Sequence, residues 1–211
     1  MTAAPPPAGD LARRLKGLNL YLIGMMGAGK SATGRPLAEA LGYRFIDADR
    51  VIEQTAGRTI PEIFASDGEE GFRQLETAVL DSLAHWHSLV VATGGGVVTR
   101  PHNWGHLQQG VVIWLDAPRE LLLERLSADA TVRPLLALSD PAERLETLLS
   151  ARRPLYSQAD LTVIQQPGES PQRIAQRVLE GLPGILRQRQ EPPEAPAQLL
   201  DSDGQPAPGL N

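Results

Sequence analysis

The chain has 211 residues and a net charge of −5, with no cysteine. This length suits one domain with its own core, and the acidic balance argues against a nucleic-acid-binding protein, which normally carries a basic face. The absence of cysteine excludes disulfides and thiolate metal sites. No apolar run approaches the ~20 residues of a membrane span, and the N-terminus lacks the layout of a signal peptide, so we expect a cytoplasmic protein without a membrane partner.

The two ends of the chain differ in composition from the rest. Residues 1–10 and 188–211 are rich in proline, alanine and polar residues and offer little to bury. Such segments are predicted to be disordered. The folded domain is therefore expected to span residues 11–187.

Strand and helix patterns alternate along this domain. Apolar runs predict strands at 18–24, 43–49, 88–96, 110–117 and 161–165, the third ending in a glycine loop. Helical patterns occupy 30–41, 59–68, 69–86, 118–126, 141–156 and 171–182. Gly42 is a typical helix stop, and Thr59, Pro61 and Glu62 form an N-terminal capping pattern. The alternation predicts a parallel sheet with helices on both faces and ligands at the carboxyl ends of the strands.

The stretch Gly24–Ser31 matches the phosphate-loop pattern G-x-x-x-x-G-K-[ST] at every fixed position. It follows an apolar strand and opens a helix, which is the context this motif requires. In such loops the lysine, here Lys30, reaches the β- and γ-phosphates, and the serine, here Ser31, ligates Mg²⁺. The only other lysine is Lys16, so the Asn-Lys-x-Asp motif of GTPases cannot occur. The sequence predicts a nucleoside triphosphate and Mg²⁺ as ligands.

Two aspartates, Asp47 and Asp49, end the second predicted strand. Residues two apart in a strand start on the same face, so one carboxylate can serve the metal while the other meets a substrate hydroxyl. A turn cap is the alternative reading of an Asp-x-Asp pair at a strand end.

Six segments extend these observations to a family. They are GMMGAGKS, FIDAD, IFASDGEEGFRQLE, TGGGVV, VRPLL and RRPLY. In order and spacing the chain resembles the shikimate kinases over residues 17–182, a family that makes shikimate 3-phosphate from shikimate and ATP. The resemblance implies an α/β fold of the P-loop kinase type: a three-layer sandwich with a five-stranded parallel sheet, a mobile lid and a substrate-binding subdomain.

The resemblance also implies the site residues. The nucleotide-binding set is Gly27, Ala28, Gly29, Lys30, Ser31, Ala32 and Arg133. The substrate-binding set is Asp49, Arg73, Gly94, Gly95, Gly96 and Arg152, with the two arginines clamping the shikimate carboxylate. The catalytic set is Lys30, Asp49 and Arg133. Mg²⁺ is expected to be bound by Ser31 and, through a water molecule, by Asp47. The lid is expected at residues 127–139, around Arg133.

Some positions leave alternatives open. Ala32 stands where a hydroxyl is frequent, and one absent hydrogen bond costs about 1 kcal/mol of nucleotide affinity. Glu76 either orients Arg73 or forms an ordinary solvated pair with it. Arg125 and Pro167 are candidates for contacts to adenine, and a plain turn is the alternative at Pro167.

We expect a monomer that phosphorylates shikimate. The alternatives are another small-molecule kinase of this fold, such as a gluconate kinase, and a non-catalytic nucleotide-binding relative. A non-catalytic relative should have lost the phosphate-loop lysine, the substrate aspartate or an arginine of the clamp, and the sequence retains all of them.

Overall fold

A five-stranded parallel sheet forms the centre of the molecule in a computed structural model, which describes residues 8–128 and 141–190. The strands are β1 (Leu20–Ile23), β2 (Arg44–Asp47), β3 (Leu89–Ala92), β4 (Val111–Asp116) and β5 (Leu161–Ile164), in the spatial order β2-β3-β1-β4-β5. Every residue of β1, β3 and β4 is buried. Because successive side chains of a strand point to opposite faces, helices must cover both sides of the sheet. The predicted three-layer α/β class is confirmed.

Eight helices surround the sheet in the described residues. They are α1 (Ala8–Leu15), α2 (Lys30–Leu41), α3 (Ala48–Ala56), α4 (Ile60–Ala84), α5 (Pro101–Leu107), α6 (Arg119–Ala128), α7 (Pro141–Tyr156) and α8 (Pro171–Gln190). A short 3-10 turn, Val97–Thr99, follows the loop after β3. Helices α1, α2 and α8 pack on one another, while α4 packs against α3 and α5. None of the described helices is long and apolar enough to cross a membrane.

The register of the sheet places the site. Leu20 of β1 lies opposite Val90 of β3 and Val111 of β4, and Asp47 at the end of β2 lies opposite Ala92. The loops that leave the carboxyl ends of β1, β2 and β3 therefore meet at one edge of the sheet. The phosphate loop, the two aspartates and the glycine loop are brought together there, as expected for open α/β sheets.

Several local predictions are confirmed. Helix α2 has the predicted bounds, and Gly42 ends it in the left-handed conformation. Thr59 and Glu62 form a reciprocal capping box at the start of α4. The two helices predicted at 59–68 and 69–86 are joined as α4, with a kink at Gly68, whose φ of 71° and ψ of −176° are not helical.

Other predictions need correction. Helix α1 begins at Ala8, inside the segment predicted as disordered, because Leu11 and Leu15 are buried in the core. Helix α8 continues to Gln190, beyond the expected domain end at residue 187. Helices α3 and α5 were not predicted, since α3 buries only Ala48 and Ile52 and α5 is only seven residues long.

Candidate active site

The loop between β1 and α2 has the shape that its glycines predict. Gly24 has a φ of 140°, and a Cβ there would lie 2.6 Å from the Leu115 carbonyl oxygen. Gly29 caps α2 with a φ of 77°. Lys30 folds its buried side chain back over the loop, where Nζ donates to the carbonyls of Gly24 at 2.8 Å and Met25 at 3.0 Å. The ammonium group thus lies against the loop whose backbone surrounds the phosphates in such motifs.

The predicted metal ligands are in direct contact. Ser31 Oγ donates to Asp47 Oδ2 at 2.6 Å, and Asp47 also caps α3 by accepting from the Arg50 N–H. No cluster of three histidine or acidic side chains suited to a metal occurs among the described residues. A hydroxyl beside one carboxylate fits Mg²⁺, because this ion takes few protein ligands and completes its shell with waters and substrate phosphates.

Asp49 lies in the first turn of α3 rather than in a strand. The prediction that Asp47 and Asp49 share one face of a strand is therefore wrong: Asp47 ends β2 and Asp49 already belongs to the helix. Asp49 Oδ1 is buried without a hydrogen-bond partner. Burial raises the pKa of Asp49 to about 6; Lys30 opposes this shift, and Asp47, Glu76 and Glu53 add to it. Asp49 is thus a poorly solvated carboxylate close to the phosphate-loop lysine.

Arg73 is buried in an acidic setting on α4. Its Nη1 donates to Glu76 Oε2 at 2.8 Å and its Nη2 to Glu69 Oε1 at 3.0 Å. Glu76 is only 3% exposed, which decides between the two readings of this residue: it orients the Arg73 guanidinium and is not a solvated surface partner. Burial raises the pKa of Glu76, although Arg73 and Arg152 oppose the shift. The second oxygen of Glu76, Oε1, has no hydrogen-bond partner.

The glycine loop after β3 brings these groups together. A Cβ built on Gly94 would lie 3.1 Å from Asp49 Oδ1 and would collide with Glu76 Oε1, and one built on Gly96 would collide with the Arg73 guanidinium. The loop is therefore in contact with Asp49 and with one arginine of the predicted clamp, and a side chain at Gly94 or Gly96 would displace its neighbours.

The middle residue, Gly95, joins the loop to α7 and to the phosphate loop. Its carbonyl accepts from Arg152 Nη1 at 3.2 Å and from the Tyr156 hydroxyl at 2.5 Å. A Cβ on Gly95 would lie 3.2 Å from the Met26 backbone nitrogen. Arg152, the second arginine of the predicted clamp, thus reaches the glycine loop, while its neighbour Arg153 pairs with Asp116 at 2.5 Å.

Three residues at this site were not assigned a supporting role from the sequence. Tyr156 is 1% exposed, and burial raises its pKa to about 12. Arg125 donates to the Gly27 carbonyl at 3.2 Å, so it contacts the phosphate loop itself. Gln165, fully buried, donates to the Ala28 carbonyl at 2.8 Å. Tyr156 lies in the segment RRPLY, but no local pattern predicts the contacts of these three residues, because their partners are far away in the sequence.

The remaining predicted residues are placed as follows. Gly27 and Ala28 lie in the phosphate loop, and Ala32 is exposed in the first turn of α2. Pro167 lies in the turn after β5. Arg133 and most of the predicted lid lie outside the described residues.

The fold and the site define a P-loop phosphotransferase: a parallel sheet, a phosphate loop with lysine and serine, and a separate cluster of carboxylate and guanidinium groups beside it. The shikimate kinase family model matches residues 26–183. The chain belongs to the shikimate kinase family.

Individual relatives are also similar to this chain in sequence and structure. A shikimate kinase from Synechococcus sp. (strain RCC307) is 63% identical over 181 residues, which cover 86% of this chain and 92% of the relative. The solved shikimate kinase from Acinetobacter baumannii in complex with shikimate is 42% identical, with a TM-score of 0.77, and the match covers 86% of this chain and 99% of that one. A gluconokinase from Sinorhizobium meliloti 1021 is 20% identical, with a TM-score of 0.54 over 84% of this chain and 98% of that one. At that identity the likeness shows only a shared fold.

Proposed function

We propose that the protein transfers the γ-phosphoryl group of ATP to the 3-hydroxyl of shikimate, giving shikimate 3-phosphate and ADP. One observation carries the proposal: Asp49, Arg73 and Arg152 border one glycine loop, and that loop touches the phosphate loop at Met26. An anionic polyol held there has its hydroxyls beside the aspartate and next to the place of the transferred phosphoryl group.

The acceptor site matches shikimate in chemical type. A guanidinium group meets a carboxylate with two parallel hydrogen bonds, so Arg73 and Arg152 are assigned to the carboxylate of shikimate. Glu76 and Glu69 each accept a hydrogen bond from one terminal nitrogen of Arg73, which fixes its orientation before the substrate arrives. Gluconate also carries a carboxylate and hydroxyls, so the choice between the two acceptors needs a direct assay.

The nucleotide site is assigned to neutralise the negative charge of the ATP phosphates. Phosphoryl transfer depends mostly on positioning and on neutralising the phosphate oxygens, and Lys30 together with the N-terminus of α2 supplies that on this chain. Ser31 and Asp47 are assigned to hold Mg²⁺, which when bound offsets negative charge on the β- and γ-phosphates. Arg133 is assigned to the phosphates from the lid by resemblance to the family.

Asp49 is assigned to the attacking hydroxyl. A carboxylate with a pKa of about 6 is ionised at neutral pH, so it accepts a hydrogen bond from the hydroxyl and aims it at the phosphoryl group. It is also more basic than an ordinary aspartate, which favours taking up the hydroxyl proton as the new bond forms.

We further propose that the enzyme works as a cytoplasmic monomer.

The test is a coupled assay of ADP release with ATP and Mg²⁺, run separately with shikimate and with gluconate. We expect turnover with shikimate and none above background with gluconate. Turnover of gluconate alone would favour the other small-molecule kinase. Binding of ATP without phosphorylation of either acceptor would favour the non-catalytic relative.

A further inference from the structure

We propose that Gln165 is a positioning residue for the phosphate loop: its side-chain amide fixes the Ala28–Gly29 peptide so that the Gly29 N–H is presented to the nucleotide phosphates. The inference rests on the proposed function only in taking this loop as the ATP site.

The side chain of Gln165 has one arrangement compatible with its neighbours. Its Nε2 donates to the Ala28 carbonyl at 2.8 Å, and its Oε1 accepts from Arg125 Nη1 at 3.0 Å. A carbonyl only accepts and a guanidinium only donates, so the amide cannot be turned over without losing both bonds. The backbone N–H of Gln165 donates to the Asp116 carbonyl at 2.8 Å, which anchors the residue to the end of β4.

The same network holds the preceding peptide. Arg125 Nη1 also donates to the Gly27 carbonyl, and the Ala28 N–H donates to the Met25 carbonyl at 3.1 Å. The Gly27–Ala28 peptide is therefore held at both its oxygen and its nitrogen. Two successive carbonyls of the loop, those of Gly27 and Ala28, are thus bound from the side of β5 and α6.

Peptide geometry turns this support into an effect on the ligand. In a trans peptide the C=O and the N–H point in opposite directions. A carbonyl of Ala28 bound by Gln165 therefore leaves the Gly29 N–H pointing away from Gln165. Backbone N–H groups of such loops are the donors to phosphate oxygens, so orienting this one in advance lowers the cost of binding.

Burial makes the bond consequential. Gln165 is 0% exposed, so water cannot replace its amide when it is removed. A buried carbonyl that loses its donor still has its desolvation cost, which favours rotation of the peptide toward another donor. Such a rotation of the Ala28–Gly29 peptide would move the Gly29 N–H away from the phosphates. An isosteric apolar residue should therefore weaken phosphate binding without touching the acceptor site.

The experiment compares Gln165→Met with Gln166→Met, a matched change at the exposed neighbouring residue. Binding of ADP, inorganic tripolyphosphate and shikimate is measured separately by calorimetry, together with Tm. We expect Q165M to bind ADP and tripolyphosphate about tenfold more weakly, with shikimate affinity within about twofold of the wild type. Q166M should bind all three ligands as the wild type does.

Three results would overturn the inference. The first is an unchanged affinity of Q165M for ADP. The second is an equal loss of affinity for ADP and for shikimate, which would indicate a general structural role. The third is a loss of affinity for ADP without a loss for tripolyphosphate, which would place the effect at the base of the nucleotide. If Q165M does not fold, Gln165→Leu is tested with the same readouts and the same expectations, because it also removes the donor without adding a charge beside the phosphates.

The wild-type protein gives a further readout that needs no variant. The side-chain amide signals of Gln165 in nitrogen-15 NMR should shift on addition of ADP and stay in place on addition of shikimate; no shift with ADP would contradict the inference. Phosphorylation of shikimate by the wild type is assayed apart from these measurements. Its absence would overturn the proposed function and leave the comparison of ADP and tripolyphosphate standing.

Discussion

Replacing Asp49 with asparagine should stabilise the protein while removing most of its activity. The reason lies in the cost of keeping this carboxylate charged: burial and the nearby acids raise its pKa from 3.8 to about 6. An aspartate whose folded pKa is raised binds its proton more tightly in the native state, so its contribution to stability is lost as pH rises between these two values. Asparagine has nearly the same shape and carries no charge at any pH.

The shift sets the size of the effect. A difference of two pKa units corresponds to about 3 kcal/mol, so Asp49→Asn should raise the free energy of unfolding by about that much at pH 8. At pH 5 the gain should fall to about half, because the wild-type aspartate is then mostly protonated when folded. Below the ordinary pKa of aspartate the gain should vanish.

The assay is urea unfolding of wild type and D49N at pH 5 and pH 8, without nucleotide or metal. Asp81→Asn, at an exposed carboxylate, serves as the control and should change stability by only a few tenths of a kcal/mol. Turnover of D49N with shikimate should fall by at least about a hundredfold while ADP affinity is retained, since the variant loses the group that orients the hydroxyl. Equal stability of D49N and wild type at pH 8, or an unaltered kcat, would refute the reasoning.

Three further predictions concern two contacts of the site and one helix cap. Arg73→Ala should raise the KM for shikimate at least about tenfold and leave the KM for ATP within about twofold. Combining this change with Glu76→Gln removes the buried carboxylate that would otherwise be unpaired. Equal effects on the KM values of both substrates would count against the clamp. Gly96→Ala should raise the KM for shikimate because its Cβ displaces the Arg73 guanidinium, whereas Gly105→Ala, which meets nothing within 4 Å, should behave as wild type; kinetics that do not distinguish the two alanine variants would contradict this contact. Thr59→Ala should lower the free energy of unfolding by about 1 kcal/mol through loss of the helix cap, without changing either KM; a KM that moves would show that the cap also serves the site.

Sequence patterns gave the parts of the site that depend on local backbone geometry. The phosphate loop was predictable because its glycines, its lysine and the following helix are contiguous, and α2 was found with correct bounds. The capping box of Thr59 and Glu62 was predictable for the same reason, since both members lie within one turn.

Most groups that support the site could not be predicted, because their contacts are made across the fold. Glu76 differs, because its (i, i+3) pair with Arg73 was one of two alternatives left by the sequence, and its burial shows that it orients Arg73. The role of Tyr156 depends on a carbonyl 61 positions away. Helix α3 was not predicted because Asp47 is both the last residue of a strand and the cap of the helix. The side-chain pattern therefore changes from strand to helix periodicity within a single residue.

The contact between Gln165 and Ala28 also bears on how the protein folds. The bond spans 137 positions of the sequence, and that between Arg125 and Gly27 spans 98. Contacts of this range form slowly, because long stretches of chain must be ordered before they can be made. We therefore expect the phosphate loop, although it is synthesised early, to be among the last segments of the domain to acquire its final shape. Nucleotides should accordingly slow unfolding of the finished protein and leave the rate of its folding unchanged.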